Sequence, residues 1–165
     1  MNAAYISIGS NIDKRTNIAA ALYWLRKLST VKAASSVYET VPVGAGCRGS
    51  FFNAAALLET PLTPGALKRS LLTGIEHRLN RQRSGNRNAP RTIDLDISLF
   101  NDAIITVGRR RIPDPEIIRF AHIAIPLAEI APRYPHPVTG ESLAAIAGRL
   151  DKRGGIRIRR DISLR

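Results

Sequence analysis

A single cysteine, Cys47, occurs in 165 residues, so the chain can form no internal disulfide and no cysteine-based metal cluster. Aromatic residues are scarce at 5%, and no K/R-G-F/Y-G/A-F run occurs, which argues against a sheet that stacks single-stranded nucleic acid. Uninterrupted apolar runs fall well short of the roughly 20 residues that a membrane-spanning helix needs. The opening run MNAAYISIGSN holds neither a basic stretch nor a long apolar one, so no secretory signal is expected and the cytoplasm is the expected compartment. GxxxxGK(S/T) and the kinase-type glycine loop are absent, which excludes a P-loop cradle. HExxH is absent and His77, His122 and His136 are scattered, which leaves no zinc-hydrolase pattern. GxSxG is absent as well, so Ser10 is no nucleophile elbow.

Acid is the other shortage. Lys and Arg number 25 against 13 Asp and Glu, for a formal charge of +12. The excess is concentrated. Residues 78–91 hold five arginines and no acid, and residues 152–165 hold six basic residues with Asp161, so each segment carries +5 and together +10 of the +12. Arg109, Arg110 and Arg111 form a third short run. This distribution fits a focused anion site or a basic tail, and excludes a cationic coat. Hydrophobic residues at 44% and charged residues at 23% are ordinary globular usage. A single domain over 1–150 with a basic tail over 151–165 is expected.

Ala3–Ile8 reads as a buried strand ended by the turn-forming trio Gly9-Ser10-Asn11. Ile18, Leu22 and Leu25 recur at helical spacing within 16–28. Strands are expected over 31–37 and 51–58, with a loop over 41–50. Thr63-Pro64 opens a helix, with Leu67, Leu71, Ile75 and Leu79 four apart along one face. A strand over 92–100 follows, with Ile104–Val107 expected as its hairpin partner. Short helical pieces are expected over 116–120, 126–130 and 142–150, and the tail around Ile156 and Ile158 reads as either a short edge strand or frayed. The order β-α-β-β-α-β predicts an α+β, ferredoxin-like (split βαβ) antiparallel sheet with helices packed on it and extra C-terminal helices.

The sharpest local feature is Arg91-Thr92-Ile93-Asp94-Leu95-Asp96-Ile97. Strand alternation puts Asp94 and Asp96 on one face, and Ile93, Leu95 and Ile97 on the other. Taken alone, the pair reads either as the wet face of a half-buried strand or as a site for a hard cation such as Mg²⁺, which takes carboxylate oxygens together with water and phosphate. The arginine loop with Arg81, Arg83 and Arg87 feeds straight into Arg91, and arginine forks bind phosphate bidentately. Carboxylates for metal beside cations for phosphate are the parts of phosphoryl or pyrophosphoryl transfer.

With these residues in view, the chain resembles the 6-hydroxymethyl-7,8-dihydropterin pyrophosphokinase family over roughly residues 4–148. The likeness rests on Tyr5-Ile6-Ser7-Ile8-Gly9-Ser10-Asn11, Ser36-Val37-Tyr38-Glu39-Thr40, Phe52-Asn53-Ala54-Ala55, Leu58-Glu59-Thr60, Pro90 to Ile97 and Pro126 to Pro132. The resemblance implies transfer of pyrophosphate from ATP to the pterin hydroxymethyl group, leaving AMP, in folate biosynthesis. It implies Asp94 and Asp96 as ligands of two Mg²⁺ ions, with Arg81 and Arg91 beside them as catalytic residues. It places Glu76, Arg83, Arg87, Ile97, Arg109 and Arg111 on ATP, and Thr40, Val43, Gly44, Phe51, Asn53 and His122 on the pterin. Without it, strand packing and turn capping would be the reading of Phe51 and Asn53. A monomer acting on two small molecules, with no membrane or nucleic-acid partner, is expected.

Several positions depart from the family pattern. Asp114 follows Pro113 where the family has histidine, Phe120 replaces arginine, and His122 replaces an aromatic ring. Asn88 replaces a loop tryptophan, and Glu39 replaces the arginine before the pocket threonine. Competing readings are a divergent paralogue acting on another pterin-like alcohol and, from another class, a nucleic-acid-binding ferredoxin-like module.

Overall fold

The alternation of the first strand, β1 (Asn2–Ser10), buries Ala4, Ile6 and Ile8 on one side and Tyr5 on the other, which demands cover on both faces. The computed structural model describes residues 1–40, 49–86, 89–151 and 155–164 and places β1 inside the sheet. Helix α1 (Lys14–Leu28) leads to β2 (Thr30–Ala34) and β3 (Tyr38–Thr40), followed by β4 (Phe51–Thr60). A second helical stretch has three contiguous parts: α2 (Pro64–Ala66), a π-helical turn (Leu67–Leu72) and α3 (Thr73–Arg78). After it come β5 (Asp94–Phe100), a small hairpin of β6 (Ile105–Val107) and β7 (Arg110–Ile112), helices α4 (Ala121–Ile130) and α5 (Leu143–Asp151), and β8 (Ile156–Ile158).

The main sheet runs β5-β1-β4-β3-β8, with β2 also paired to β4, and each pairing is antiparallel. Taking β2 and β3 as one interrupted strand, this is the split βαβ order expected from the sequence. One face packs Ile6, Ile8, Phe52, Leu58 and Leu95 against Ile18, Leu22 and Leu25 of α1 and Leu67, Leu72 and Ile75 of the second helical stretch. The other face packs Tyr5, Ala55 and Leu99 against Ile123, Ala124 and Leu127 of α4 and Ile146 of α5. These apolar contacts lie toward one half of that face; Ser7, Asn53, Asp94 and Asp96 share the face outside them.

Three expectations change. The strand over 31–37 is broken, because a carboxylate captures the backbone at the break. Glu129 of α4 accepts hydrogen bonds from Ser36 N at 3.0 Å, Ser36 Oγ at 2.9 Å and the Tyr38 hydroxyl at 2.8 Å. Ile105–Val107 pairs with Arg110–Ile112 in a separate two-stranded sheet, and β5 instead takes β1 as its partner. Residues 115–119 form turns, and the helix expected over 126–130 begins earlier, at Ala121. Thr63 caps the second helical stretch as its sequence predicts, its Oγ1 accepting from Ala66 N at 3.3 Å.

Of the two forms open to the tail, the edge strand is the one adopted. β8 pairs with β3, and the chain then lays Ile162 and Leu164 into the core beside α1, where Arg26 Nη2 donates to Leu164 O at 2.6 Å. Leu164→Ala should therefore lower the unfolding free energy by about 2–3 kcal/mol. Urea denaturation with an unchanged midpoint would show that the tail does not contribute to the core.

Candidate active site

β5 is an edge strand, so its outer backbone groups need partners from elsewhere. Glu76 supplies one. Its side chain is 1% exposed, and Oε1 accepts from Leu95 N at 2.9 Å. Lys68 Nζ donates to Leu95 O, and lies 3.3 Å from Glu76 Oε1 and 3.2 Å from Asp96 Oδ1. Arg83 closes the group, with Nη2 2.6 Å from Glu76 Oε2. Lys68 and Glu76 are eight residues apart, which in a regular α-helix puts them about 80° apart around the axis. The π-helical turn between them takes up about one residue, bringing both side chains to nearly the same line.

The alternation expected for β5 is present: Ile93, Leu95 and Ile97 are buried, and Asp94 and Asp96 lie half-buried on the other face. Two carboxylates so close repel, and four cations surround them. Arg91 Nη1 donates to Asp94 Oδ2 at 2.7 Å, and Arg81 Nη2 stands 3.9 Å from Asp94 Oδ1. Lys68 meets Asp96 from the helix, and Arg110 Nη2 stands 2.9 Å from Asp96 Oδ2. The turn after β1 fixes the position of Arg91. Asn11 Oδ1 accepts from Arg91 N at 2.6 Å, Asn11 N donates back to Arg91 O at 3.1 Å, and Ser10 Oγ donates to Thr92 O at 2.5 Å.

Beside Asp96 a cavity of about 170 Å³ opens between β5 and the β6–β7 hairpin; Ile97, Arg109, Arg110, Arg111 and Asp114 are among the residues that line it. Asp114 turns its carboxylate toward the chain, Oδ1 accepting from Glu116 N at 2.9 Å. Burial pushes the Asp114 carboxyl above its usual value, against the opposing pull of that hydrogen bond. Arg110, which also pulls the Asp114 carboxyl down, is paired with Asp96.

Sheet register links this region to β4. Gly9 stands opposite Asp94 on one side and opposite Asn53 on the other, so the three form one row. At about 4.8 Å per strand, Asn53 and Asp94 are roughly 10 Å apart across a residue with no side chain. Asn53 is buried, and its Nδ2 donates to Thr40 Oγ1 at 2.8 Å, which joins β3 to β4. Phe51 is half-buried opposite Thr40. His122, at the start of α4, stacks on Phe120 with centroids 5.5 Å apart, and burial lowers its pKa.

Arg81, Arg91, Asp94 and Asp96 are thus brought together, as are Glu76 with Arg83, and Thr40 with Phe51 and Asn53. Ile97, Arg109 and Arg111 share the cavity. Val43, Gly44 and Arg87 lie outside the described residues. Lys68, Arg110, Ser10 and Asn11 also belong to the arrangement and are missing from the residues expected. The Gly-Ser-Asn signal was legible, though only as a turn; Lys68 gave none, since its alignment with Glu76 depends on the π turn. Among the described residues no group of three or more His, Cys, Asp or Glu side chains converges, and a hard cation held by Asp94 and Asp96 would take its other ligands from water or phosphate. No helix among the described residues is long and apolar enough to cross a membrane.

The carboxylate strand and its arginines lie within the stretch that matches a known family. Residues 5–132 match the 7,8-dihydro-6-hydroxymethylpterin-pyrophosphokinase model, and the chain belongs to that family. It is 42% identical over 132 residues to the 2-amino-4-hydroxy-6-hydroxymethyldihydropteridine pyrophosphokinase of Bacillus subtilis, covering 78% of each chain. It is 35% identical over 157 residues to the enzyme of the same name from Methylorubrum extorquens, covering 93% of this chain and 97% of that one. The fold is also that of the wild-type Plasmodium falciparum HPPK-DHPS crystal structure, with a TM-score of 0.72 at 14% identity. That match covers 97% of this chain and 47% of the other, so this chain spans about half of that one.

Asp114 generates a test. A raised folded pKa means that ionising Asp114 costs more in the folded protein than in the unfolded chain. Its penalty is absent below the ordinary aspartate value and complete above the raised one. Asp114→Asn keeps an oxygen acceptor for Glu116 N and removes the charge. Thermal melting should find the two proteins alike near about pH 3, and the variant more stable at neutral pH. A variant less stable at both would show that the carboxylate is needed as an anion.

Proposed function

We propose that the protein transfers the terminal pyrophosphate of ATP to 6-hydroxymethyl-7,8-dihydropterin. The hydroxymethyl oxygen gives up its proton to solvent and forms a bond to the β-phosphorus, the bond from that phosphorus to the oxygen bridging to the α-phosphate breaks, and AMP leaves with that oxygen. The observation that carries this reading is the row Asn53–Gly9–Asp94, which sets a hydrogen-bonding amide and a carboxylate about 10 Å apart over an open floor. That span suits a flat bicyclic heterocycle whose exocyclic alcohol reaches the carboxylates.

In this reading Thr40, Phe51, Asn53 and His122 hold the pterin, the amide meeting the ring edge and the aromatic faces covering it. Val43 and Gly44 keep the pocket role that the resemblance gives them. Arg81 and Arg91, already on Asp94, turn to phosphate oxygens when the nucleotide arrives. Arg83, Arg87, Arg109 and Arg111 take the remaining phosphate charge, with Glu76 and Ile97 beside the nucleotide. The donor set, two half-buried carboxylates and no sulfur, fits a hard cation. Asp94 and Asp96 would hold two Mg²⁺ ions, which would supply charge neutralisation at the phosphates and lower the pKa of the attacking alcohol. All of these residues come from one chain, so a monomer suffices, and the cytoplasm, which holds ATP, is the compartment of this reading.

Asp96→Asn separates chemistry from folding. The amide keeps its size but loses the ion pairs with Lys68 and Arg110, so stability should fall by about 1 kcal/mol or less, as for partly exposed pairs. Loss of transition-state charge stabilisation should cut AMP production at least about a hundredfold. Near-normal turnover in a folded variant would remove β5 from the reaction.

A further inference from the structure

Glu39 of β3 sits where α1 and the C-terminal segment meet. Its Oε2 accepts from Arg157 Nε at 3.1 Å and Nη2 at 2.8 Å, and from Arg159 Nη1 at 2.9 Å. Its Oε1 accepts from Ser50 Oγ at 2.5 Å and from Lys14 Nζ at 3.3 Å. The side chain is 12% exposed, and the Ser50 and Arg157 hydrogen bonds foremost hold its carboxyl down at about 2. Arg159 also pairs with Asp161, as does Arg15 of α1. Arg157 and Arg159, two of the basic residues of the tail, are therefore engaged by this fold.

The location decides what the cluster does. β3 is three residues long, and a strand that short frays unless both edges are held. β4 holds one edge and β8 the other, with Glu39 opposite Arg157. On β4 the partner of Glu39 is Phe52, over whose ring Lys14 and Arg159 lie at 4.6 and 5.0 Å. One residue along, pointing to the opposite face, are Thr40 and its partner Phe51, and Thr40 receives the Asn53 amide. Ser50, held by Glu39, immediately precedes Phe51. The cluster thus grips the back of the wall whose front carries Thr40, Phe51 and Asn53. Three cations share Glu39, so its loss removes the attraction and leaves them repelling one another.

We propose that the C-terminal strand, fastened by Arg157 and Arg159 to Glu39, is a positioning element for the acceptor, holding Thr40, Phe51 and Asn53 in the register that receives the pterin. This rests on the function proposed above for that wall. Arg157, Arg159 and Glu39 are positioning residues and touch no substrate.

The test uses the full chain and three variants: Glu39→Gln, the pair Arg157→Ala with Arg159→Ala, and the pair Arg157→Lys with Arg159→Lys. Binding of 6-hydroxymethyl-7,8-dihydropterin is followed by its fluorescence and that of a non-hydrolysable ATP analogue with Mg²⁺ by calorimetry. Glu39→Gln and the alanine pair should weaken the pterin about tenfold, the scale of one charge-assisted hydrogen bond, and move ATP-analogue binding by less than about twofold. The lysine pair should recover most of the loss. Amide exchange in the ligand-free protein should quicken at residues 38–40 and 51–53 and stay unchanged in α4. Pterin binding at the wild-type level with unchanged exchange would overturn the proposal. So would parallel weakening of both ligands that follows the drop in melting temperature, which is what a merely structural role gives. Wild-type protein that binds no pterin defeats the proposed function and this inference with it, whereas wild-type binding with unaffected variants defeats the inference alone.

Discussion

The position of β1 between β4 and β5 is the constraint on which the site depends. Antiparallel pairing on both sides fixes which residues stand opposite one another, and a slip of one residue would turn every side chain of a strand to the other face. In the register adopted, Gly9 separates Asn53 from Asp94, and Ser7 stands opposite Ala55 and Asp96. The alternation that buries Ile6, Ile8, Phe52 and Leu95 against the first helices leaves the polar residues on the face that α4 and α5 cover only in part. Packing the core and exposing the site are one geometric event.

Electrostatics then explains the unusual charge balance. A strand with two aspartates on one face is unfavourable by itself, and the protein answers with Arg81, Arg91, Lys68 and Arg110 placed around them. Each cation has an anion in the ligand-free protein, so none is an isolated buried charge. In the function proposed above, the same cations turn to a polyphosphate, and two of them, Arg81 and Arg91, belong to the arginine excess over 78–91. At the C-terminus, Arg157 and Arg159 meet Glu39, and Arg159 also meets Asp161.

Much of this was legible in the residues. Alternation in Ile93 to Ile97 gave the faces of β5, and the helical spacing of Ile18, Leu22 and Leu25 gave the buried side of α1. The β-α-β-β-α-β order gave the sheet. What was hidden has two causes, contacts between residues far apart in sequence and a local irregularity in a helix. The break before β3 depends on Glu129, ninety-three residues from Ser36. The alignment of Lys68 with Glu76 depends on a π turn that no spacing rule announces. The ion pairs of Glu39 depend on a segment at the far end of the chain, which brings Arg157 and Arg159 beside it.

The central claim is that the carboxylate pair and the amide row serve transfer of a pyrophosphate as one unit. The most direct measurement is product analysis by phosphorus NMR after incubating the protein with ATP, Mg²⁺ and 6-hydroxymethyl-7,8-dihydropterin. The account predicts AMP and a pterin diphosphate in equal amounts, with neither formed when the pterin is left out. ADP with a pterin monophosphate, or AMP release that does not depend on the pterin, would contradict it.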